Sequence, residues 1–338
     1  MNMRTRIITL VAVVLSAFGG TVAYIVHSRQ VRPAVVAGPV AAPTTQDVPV
    51  LSTGPRIVFR NTAVGSSYGR VAVVPLTDPA GPRAITPASC DRVYAVAARA
   101  VCLYAKRAMV TTYQAQVLDA KWTVVRDLPL SGVPSRTRLS RDGAVVATTT
   151  FVSGHDYATA GSFSTATLVT RLASAETVNI ETFDVVVDGK KISNADLNLW
   201  GVTFVDDDAF YATAASGAKT WLVHGSLSSK RLTAVLQDAE CPSLSPDRTR
   251  IAFKRRSGQA AGQWHIAVYD LASRATTVLG EPRSVDDQIE WLDDQHVIYG
   301  LPREGTGPAA TDVWVAAADG SGRPSLFIPD AWSPAVIR

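Results

Sequence analysis

Short apolar segments alternate with tight polar turns along most of the chain. Four stretches share one order: an apolar run, a turn that contains aspartate, and a second apolar run. They are residues 137–150, 202–213, 242–253 and 289–300, with Asp142, Asp206 and Asp207, Asp247, and Asp293 and Asp294 in their turns. Aspartate suits a hairpin apex because it tolerates left-handed backbone and accepts hydrogen bonds from nearby turn amides. The pattern therefore predicts four β-hairpins.

Two more strand-like runs follow three of these hairpins, for example "WHIAVYDL" and "ATTVLG" after Phe253. Four strands in about 40–50 residues is the period of one propeller blade. Two less regular units bring the predicted number of blades to six. Residues 91–130 keep the strand rhythm without the aspartate turn, and residues 56–87 contain only three strands.

The strand missing from the first unit is predicted to come from the other end of the chain. Residues 330–338, "DAWSPAVIR", look like the start of a blade, because Trp332-Ser333-Pro334 matches Leu244-Ser245-Pro246. We expect this segment to pair beside residues 56–61 as the innermost strand, which closes the ring and removes exposed sheet edges. The predicted fold is an all-β, six-bladed β-propeller over residues 56–338.

The repeats resemble those of the TolB-like six-bladed β-propellers. The similarity rests on "LSPDRTRIAFKRR…WHIAVYDLASRATTVL" and "VWVAAADGSGRPSLFIPDAWSP", since the family's blades carry a Ser-Pro-Asp-Gly turn before an Ile-Ala-Phe strand. Position 248 is arginine where the family has glycine, which leaves the type of that turn open. The resemblance implies a protein-binding or scaffold role outside the cytoplasm and carries no catalytic residues. The family's N-terminal α/β domain is not expected here.

The first residues have a different composition. Residues 7–26 contain no charge over about 20 residues, the length that crosses a bilayer core. We expect a single-pass signal anchor in the cell membrane with the propeller outside the cytoplasm; a signal peptide cleaved after Ala23, which would release a secreted protein, is the alternative. Residues 1–27 thus form the anchor or signal segment. Residues 28–55, rich in proline and alanine, form a tether.

The composition argues against a nucleic-acid partner and against a bound metal or other cofactor. The net charge of +4 over 338 residues is only weakly basic, so no nucleic-acid partner is expected. We also expect the protein to be a monomer. Cys90 and Cys102 flank a predicted hairpin and are expected to form a disulfide if the domain is exported, the alternative being two buried thiols. Cys241 is expected to be a buried free thiol. No metal or other cofactor is predicted, because no CxxC spacing exists.

The candidate site is one face of the propeller. Loops between the second and third strands of each blade, and links between blades, should meet there. Near the channel mouth we expect Glu240, Asp286 and Asp287, with Asp238 and Asp330, and we expect cations farther out, namely Lys106, Arg107, Lys254, Arg255, Arg256 and Arg303. The longest loop adds His155, Asp156 and Tyr157, and Trp200 stands where an inner strand begins.

Three functions are compatible with this surface. The first is a protein-binding or scaffold module of the cell envelope. The second is a propeller hydrolase or lyase that uses the carboxylates at the channel mouth. The third is an extracytoplasmic ligand sensor. The sequence contains no G-x-S-x-G, H-E-x-x-H or P-loop motif, so we predict no catalytic residue and favour the first function.

Overall fold

The computed structural model describes residues 3–5, 9, 13–21, 53–153, 163–256, 258–260, 262–304 and 310–338. Residues 3–5, 9 and 13–21 are helical. Within the described ranges, no helix is both long enough and apolar enough to cross a membrane. The membrane anchor at residues 7–26 therefore stays a prediction, and residues 28–52 of the tether lie outside the described residues.

The described strands form six blades, each built on four antiparallel strands. From the innermost strand outward, blade 1 consists of β26 (Ala331–Ile337), β1 (Arg56–Asn61), β2 (Arg70–Pro75) and β3 (Ala84–Ser89). Blade 2 consists of β4 (Arg92–Val96), β5 (Arg99–Lys106), β6 (Thr112–Asp119) and β7 (Val124–Leu128). Blade 3 consists of β8 (Val133–Leu139), β9 (Val145–Ser153), β10 (Ser164–Arg171) and β11 (Thr177–Asn179).

Blades 4 to 6 continue the same order. Blade 4 contains β14 (Asn198–Phe204), β15 (Ala209–Ser216), β16 (Lys219–Ser226) and β17 (Arg231–Gln237). Blade 5 contains β18 (Glu240–Leu244), β19 (Arg250–Arg255), β20 (His265–Asp270) and β21 (Thr276–Val278). Blade 6 contains β22 (Glu290–Trp291), β23 (His296–Pro302), β24 (Thr311–Ala317) and β25 (Ser325–Ile328).

The C-terminal strand closes the ring, as predicted. β26 pairs antiparallel with β1, with Arg56 opposite Ile337 and Asn61 opposite Ala331. The six inner strands β26, β4, β8, β14, β18 and β22 contact one another in chain order around the centre. Apolar side chains from neighbouring blades pack between the sheets; Ile57 and Val336, for example, share a cluster with Ile298 of blade 6.

Blade 4 is larger than the predicted four strands. The additional strands β12 (Asp184–Val187) and β13 (Lys190–Ile192) form a hairpin, and β12 runs parallel to β17 at its outer edge. A 3-10 turn over Ile180–Thr182 precedes them. Val185 is buried in one cluster with Leu232 of β17, which explains why this short segment adds to the sheet.

The aspartate turns form as predicted, and the Ser-x-Asp spacing has a physical reason. In blade 3, Ser140 Oγ donates to Asp142 Oδ1 at 2.7 Å, and the same carboxylate oxygen accepts from the amide of Ala144. Ser245 and Asp247 repeat this contact in blade 5. Arg248 has φ +61° where Gly143 has φ +76° in blade 3, so the arginine occupies the same left-handed position as the glycine.

The predicted disulfide is confirmed. Cys90 precedes β4 and is bonded to Cys102 on β5, so the bridge anchors the link between blades 1 and 2. Cys241 is a buried free cysteine, as expected.

The two ends of the propeller are distinct surfaces. The inner strands run from what we call the loop face, which includes the links 237–240 and 284–289, to what we call the turn face. The turn face carries the turns between the first and second strands of the blades, including 140–144, 205–208, 245–249 and 292–295.

Candidate functional site

The predicted acidic residues lie at the loop-face end of the central channel, and each one is bound to a cation. Asp286 Oδ1 accepts from Lys254 Nζ at 2.6 Å and from Arg136 Nη2 at 3.1 Å. Burial works against ionisation, but the charges of Lys254 and Arg136 outweigh it and hold the pKa of Asp286 below its usual value. Asp286 is thus a fixed negative charge between two blades.

Asp287 is fully buried beside it. Its Oδ1 accepts from Arg92 Nη1 at 2.8 Å, and its Oδ2 accepts from the amide of Gly300 at 3.0 Å. The guanidinium of Arg92 also lies 5.3 Å from the ring centre of Trp332. Asp287 therefore joins blade 6 to blade 2, and its partner Arg92 also contacts blade 1.

Glu240 is likewise fully buried. Its Oε1 lies 2.7 Å from Arg256 Nε and accepts from Trp264 Nε1 at 3.1 Å. Burial raises the pKa of Glu240 above its usual value. The charges of Lys254 and Arg256 oppose this increase but do not cancel it.

The expectation that the cations lie farther out is wrong for Lys254. Lys254 is fully buried, because it stands opposite Glu240 in the β18–β19 register and points inward. Arg256 binds Glu240, Arg303 donates to Asp330 at 2.9 Å, and Arg255 lies 3.6 Å from Asp238. These three arginines are part-exposed, while Lys106 and Arg107 are exposed.

A second group of charges, which the sequence analysis missed, lies deeper in the channel. Arg138 Nη1 donates to Glu290 Oε2 at 2.8 Å and to Tyr94 Oη at 3.2 Å. Both side chains of the ion pair are 6 % exposed. Burial raises the pKa of Glu290, and Arg138 opposes this increase. Burial also raises the pKa of Tyr94 to about 12.

The spacing of polar residues along two inner strands could have revealed this second group. Arg92 and Tyr94 on β4, and Arg136 and Arg138 on β8, are spaced by two residues, so each pair points to the same side of its strand. Arginine and other polar residues at alternate positions of an innermost strand indicate the side of that strand that faces the channel.

A cavity of about 310 Å³ opens at the turn face. We call it the cup. The ends of all six inner strands line it, for example Val96 of β4, Leu139 of β8, Phe204 of β14, Leu244 of β18, Trp291 of β22 and Ile337 of β26. Arg138 and Glu290 also line it. The cup is thus the turn-face mouth of the central channel, at the opposite end from the predicted acidic site.

The remaining candidate residues are not brought together by the described structure. His155, Asp156 and Tyr157 lie outside the described residues. Trp200 lies near the start of β14 as expected, but its side chain is fully buried and packs edge-on against Phe163 at 5.5 Å. Within the described ranges, no group of three or more potential metal ligands occurs.

Comparison with known proteins identifies the fold. Neither a family model nor a curated protein matches the sequence. TolB from Acinetobacter baumannii matches in structure over 84% of this chain and 67% of its own, with a TM-score of 0.57 and 16% sequence identity. The chain has the TolB-like propeller fold.

Two further solved structures resemble this TolB-like propeller less closely. A protein assigned as TolB from Agrobacterium tumefaciens has a TM-score of 0.49 and 11% identity, covering 81% of this chain and 87% of its own. A puromycin-hydrolyzing peptidase of Mycobacterium tuberculosis has a TM-score of 0.49 and 14% identity, covering 81% of this chain and 43% of its own. At such identities the likeness concerns the fold alone.

Proposed function

We propose that this TolB-like propeller is a membrane-anchored, extracytoplasmic binding module of the cell envelope, and that a protein partner docks in the cup at its turn face. The observation that carries the proposal is the construction of the cup. Every blade contributes to its wall, and the buried Arg138–Glu290 pair fixes its floor. A preformed concave site on a rigid scaffold is the usual form of a binding site.

The disulfide supports the location outside the cytoplasm. Disulfides persist in oxidising compartments and are rare in cytosolic proteins. The Cys90–Cys102 bridge therefore agrees with export, as does the uncharged segment at residues 7–26. A tether of about 28 residues would let the propeller reach a partner away from the bilayer.

The ion pairs at the loop face favour binding over the alternative of a hydrolase or lyase. General acid–base catalysis needs a carboxylate that exchanges protons with the substrate. Glu240, Asp286 and Asp287 each lie 2.6–2.8 Å from a cation of a neighbouring strand or loop. These contacts suit carboxylates that join blades together.

The proposal is tested by cross-linking in intact cells. The full chain would carry one exposed cysteine, at Ala97→Cys in the cup, at Arg107→Cys on the loop face, or at Arg323→Cys on an outer turn. A membrane-impermeant, thiol-reactive photo-cross-linker is then added. We expect labelling of all three variants, and a discrete adduct with one protein from Ala97→Cys.

Each other outcome has a defined meaning. Failure of the exposed cysteines to react in intact cells, while they react in lysed cells, would overturn the extracytoplasmic location. An adduct from Arg107→Cys alone would move the partner to the loop face. Labelling without any adduct from either face would overturn the binding function.

A further inference from the structure

The charge of the cup is unbalanced. Four arginines line it, Arg138, Arg141, Arg248 and Arg338, and Glu290 is the one carboxylate side chain among the described residues of its wall. Glu290 is already bonded to Arg138. Arg141, Arg248 and Arg338 are exposed, so their guanidinium groups can reach a bound molecule.

The aspartates of the neighbouring turns do not compensate these arginines inside the cup. Asp142, Asp206 and Asp247 accept hydrogen bonds from the backbone amides of their own turns, and none of them lines the cavity. Asp206 is close enough to Arg248 for the arginine charge to contribute to lowering its pKa, although hydrogen bonds from the amides of Ala209 and Asp208 contribute more. The interior of the cup thus stays cationic.

Apolar side chains stand between the arginines of the cup wall. Phe204 and Leu244 on neighbouring inner strands are part-exposed there. Trp291 is buried behind the wall, and its Nε1 donates to the carbonyl of Ser243 at 2.8 Å, which fixes the indole ring. Arg338 Nη2 donates to the carbonyl of Trp291, so β22 orients the Arg338 side chain at the rim of the cup. A ligand in the cup would contact apolar side chains together with guanidinium groups.

We infer that the cup recognises an acidic peptide segment of the partner, with carboxylate side chains on Arg141, Arg248 and Arg338 and an apolar side chain against Phe204 and Leu244. This inference rests on the proposed binding function and names the chemistry of that site. Arginine is suited to the task because its planar fork binds a carboxylate through two parallel hydrogen bonds. The volume of about 310 Å³ lies at the lower end of ligand pockets, about 300–1,000 Å³, which fits a short segment and not a whole domain.

The test uses two synthetic probes, the peptide Phe-Glu-Glu-Phe and its amide match Phe-Gln-Gln-Phe, both blocked at their ends. Binding to the detergent-solubilised full chain is measured by calorimetry. We expect the glutamate peptide to bind, the glutamine peptide to bind at least about tenfold more weakly, and the affinity to fall as salt is added.

A matched pair of variants locates the binding. Arg141→Gln with Arg248→Gln should weaken binding of the glutamate peptide about tenfold or more. Arg274→Gln with Arg323→Gln should leave it unchanged. Arg274 is a suitable control because it is exposed, belongs to an outer turn and has φ +62°, close to φ +61° at Arg248. Equal thermal unfolding of both double variants shows that folding is unaffected.

Three results would overturn the inference: no binding of the glutamate peptide, equal binding of both peptides, or binding that both double variants keep. A partner that still cross-links to Ala97→Cys would in that case leave the proposed binding function standing. Absence of any cross-linked partner would remove the function as well, so the two failures are distinguishable.

Discussion

Deletion of residues 331–338 should prevent formation of the propeller ring. β26 is the innermost strand of blade 1 and bonds along the whole of β1. Ala331, Ala335 and Ile337 are buried, so their apolar contacts would be lost together with the strand. The truncated chain would also expose β1 as a free edge next to the channel. We expect it to lose cooperative thermal unfolding, followed by circular dichroism, and to aggregate on size-exclusion chromatography.

A permuted chain provides the control. Ile337 stands opposite Arg56, so residues 331–338 can be inserted directly before Arg56 through a short hairpin loop. This variant should recover cooperative unfolding, because the same strand reaches the same position by another connection. A truncated chain that unfolds like the intact protein would contradict the ring closure.

Arg138→Met should have the largest effect of any single substitution in the channel. It leaves the Glu290 carboxylate buried without its main partner and removes the donor to Tyr94 Oη. Breaking a buried ion pair from one side costs about 3–5 kcal/mol of the free energy of unfolding. The loss would be measured by denaturant unfolding. Arg171→Met is the control, because the Arg171–Asp208 pair is part-exposed and screened by solvent, and should contribute under about 1 kcal/mol.

Two further measurements separate a charge effect from a packing effect. The double variant Arg138→Met with Glu290→Met should regain most of the lost stability, since no buried charge remains. The destabilisation by Arg138→Met should also shrink as the pH falls. Burial raises the pKa of Glu290 in the folded state, and Arg138 opposes this increase, so the folded-state pKa is higher in the variant than in the intact protein. Protonation below that pKa therefore stabilises the variant more than the intact protein, and this gain is complete below the unfolded value. An effect of Arg138→Met that is independent of pH would contradict the assignment of an ionised pair.

The strand rhythm was enough to predict the ring because blades are local units. Each aspartate turn joins two neighbouring strands, and the Ser245–Asp247 contact lies within three residues. Closure by residues 331–337 was also predictable, because the short first unit and the unmatched last segment complement each other. The Cys90–Cys102 bridge followed from its place at one hairpin.

The charge pairing of the channel could not be predicted, because its contacts join residues that are distant in sequence. Arg92 and Asp287 are 195 residues apart, and Arg138 and Glu290 are 152 apart. Alternation along β19 shows that Lys254 and Ala252 share one side, but does not show that this side meets Asp286. The pairing of β12 with β17 is non-local for the same reason.

If the partner binds at the turn face of the channel, and the carboxylates of the loop face only stabilise the propeller, partner binding should protect the cup. Hydrogen–deuterium exchange of the full chain in detergent, with and without the purified cross-linked partner, measures this protection. We expect slower exchange in residues 94–97, 139–141 and 244–248, which line the cup or its rim. Slower exchange confined to residues 238–240 and 284–287 would contradict it.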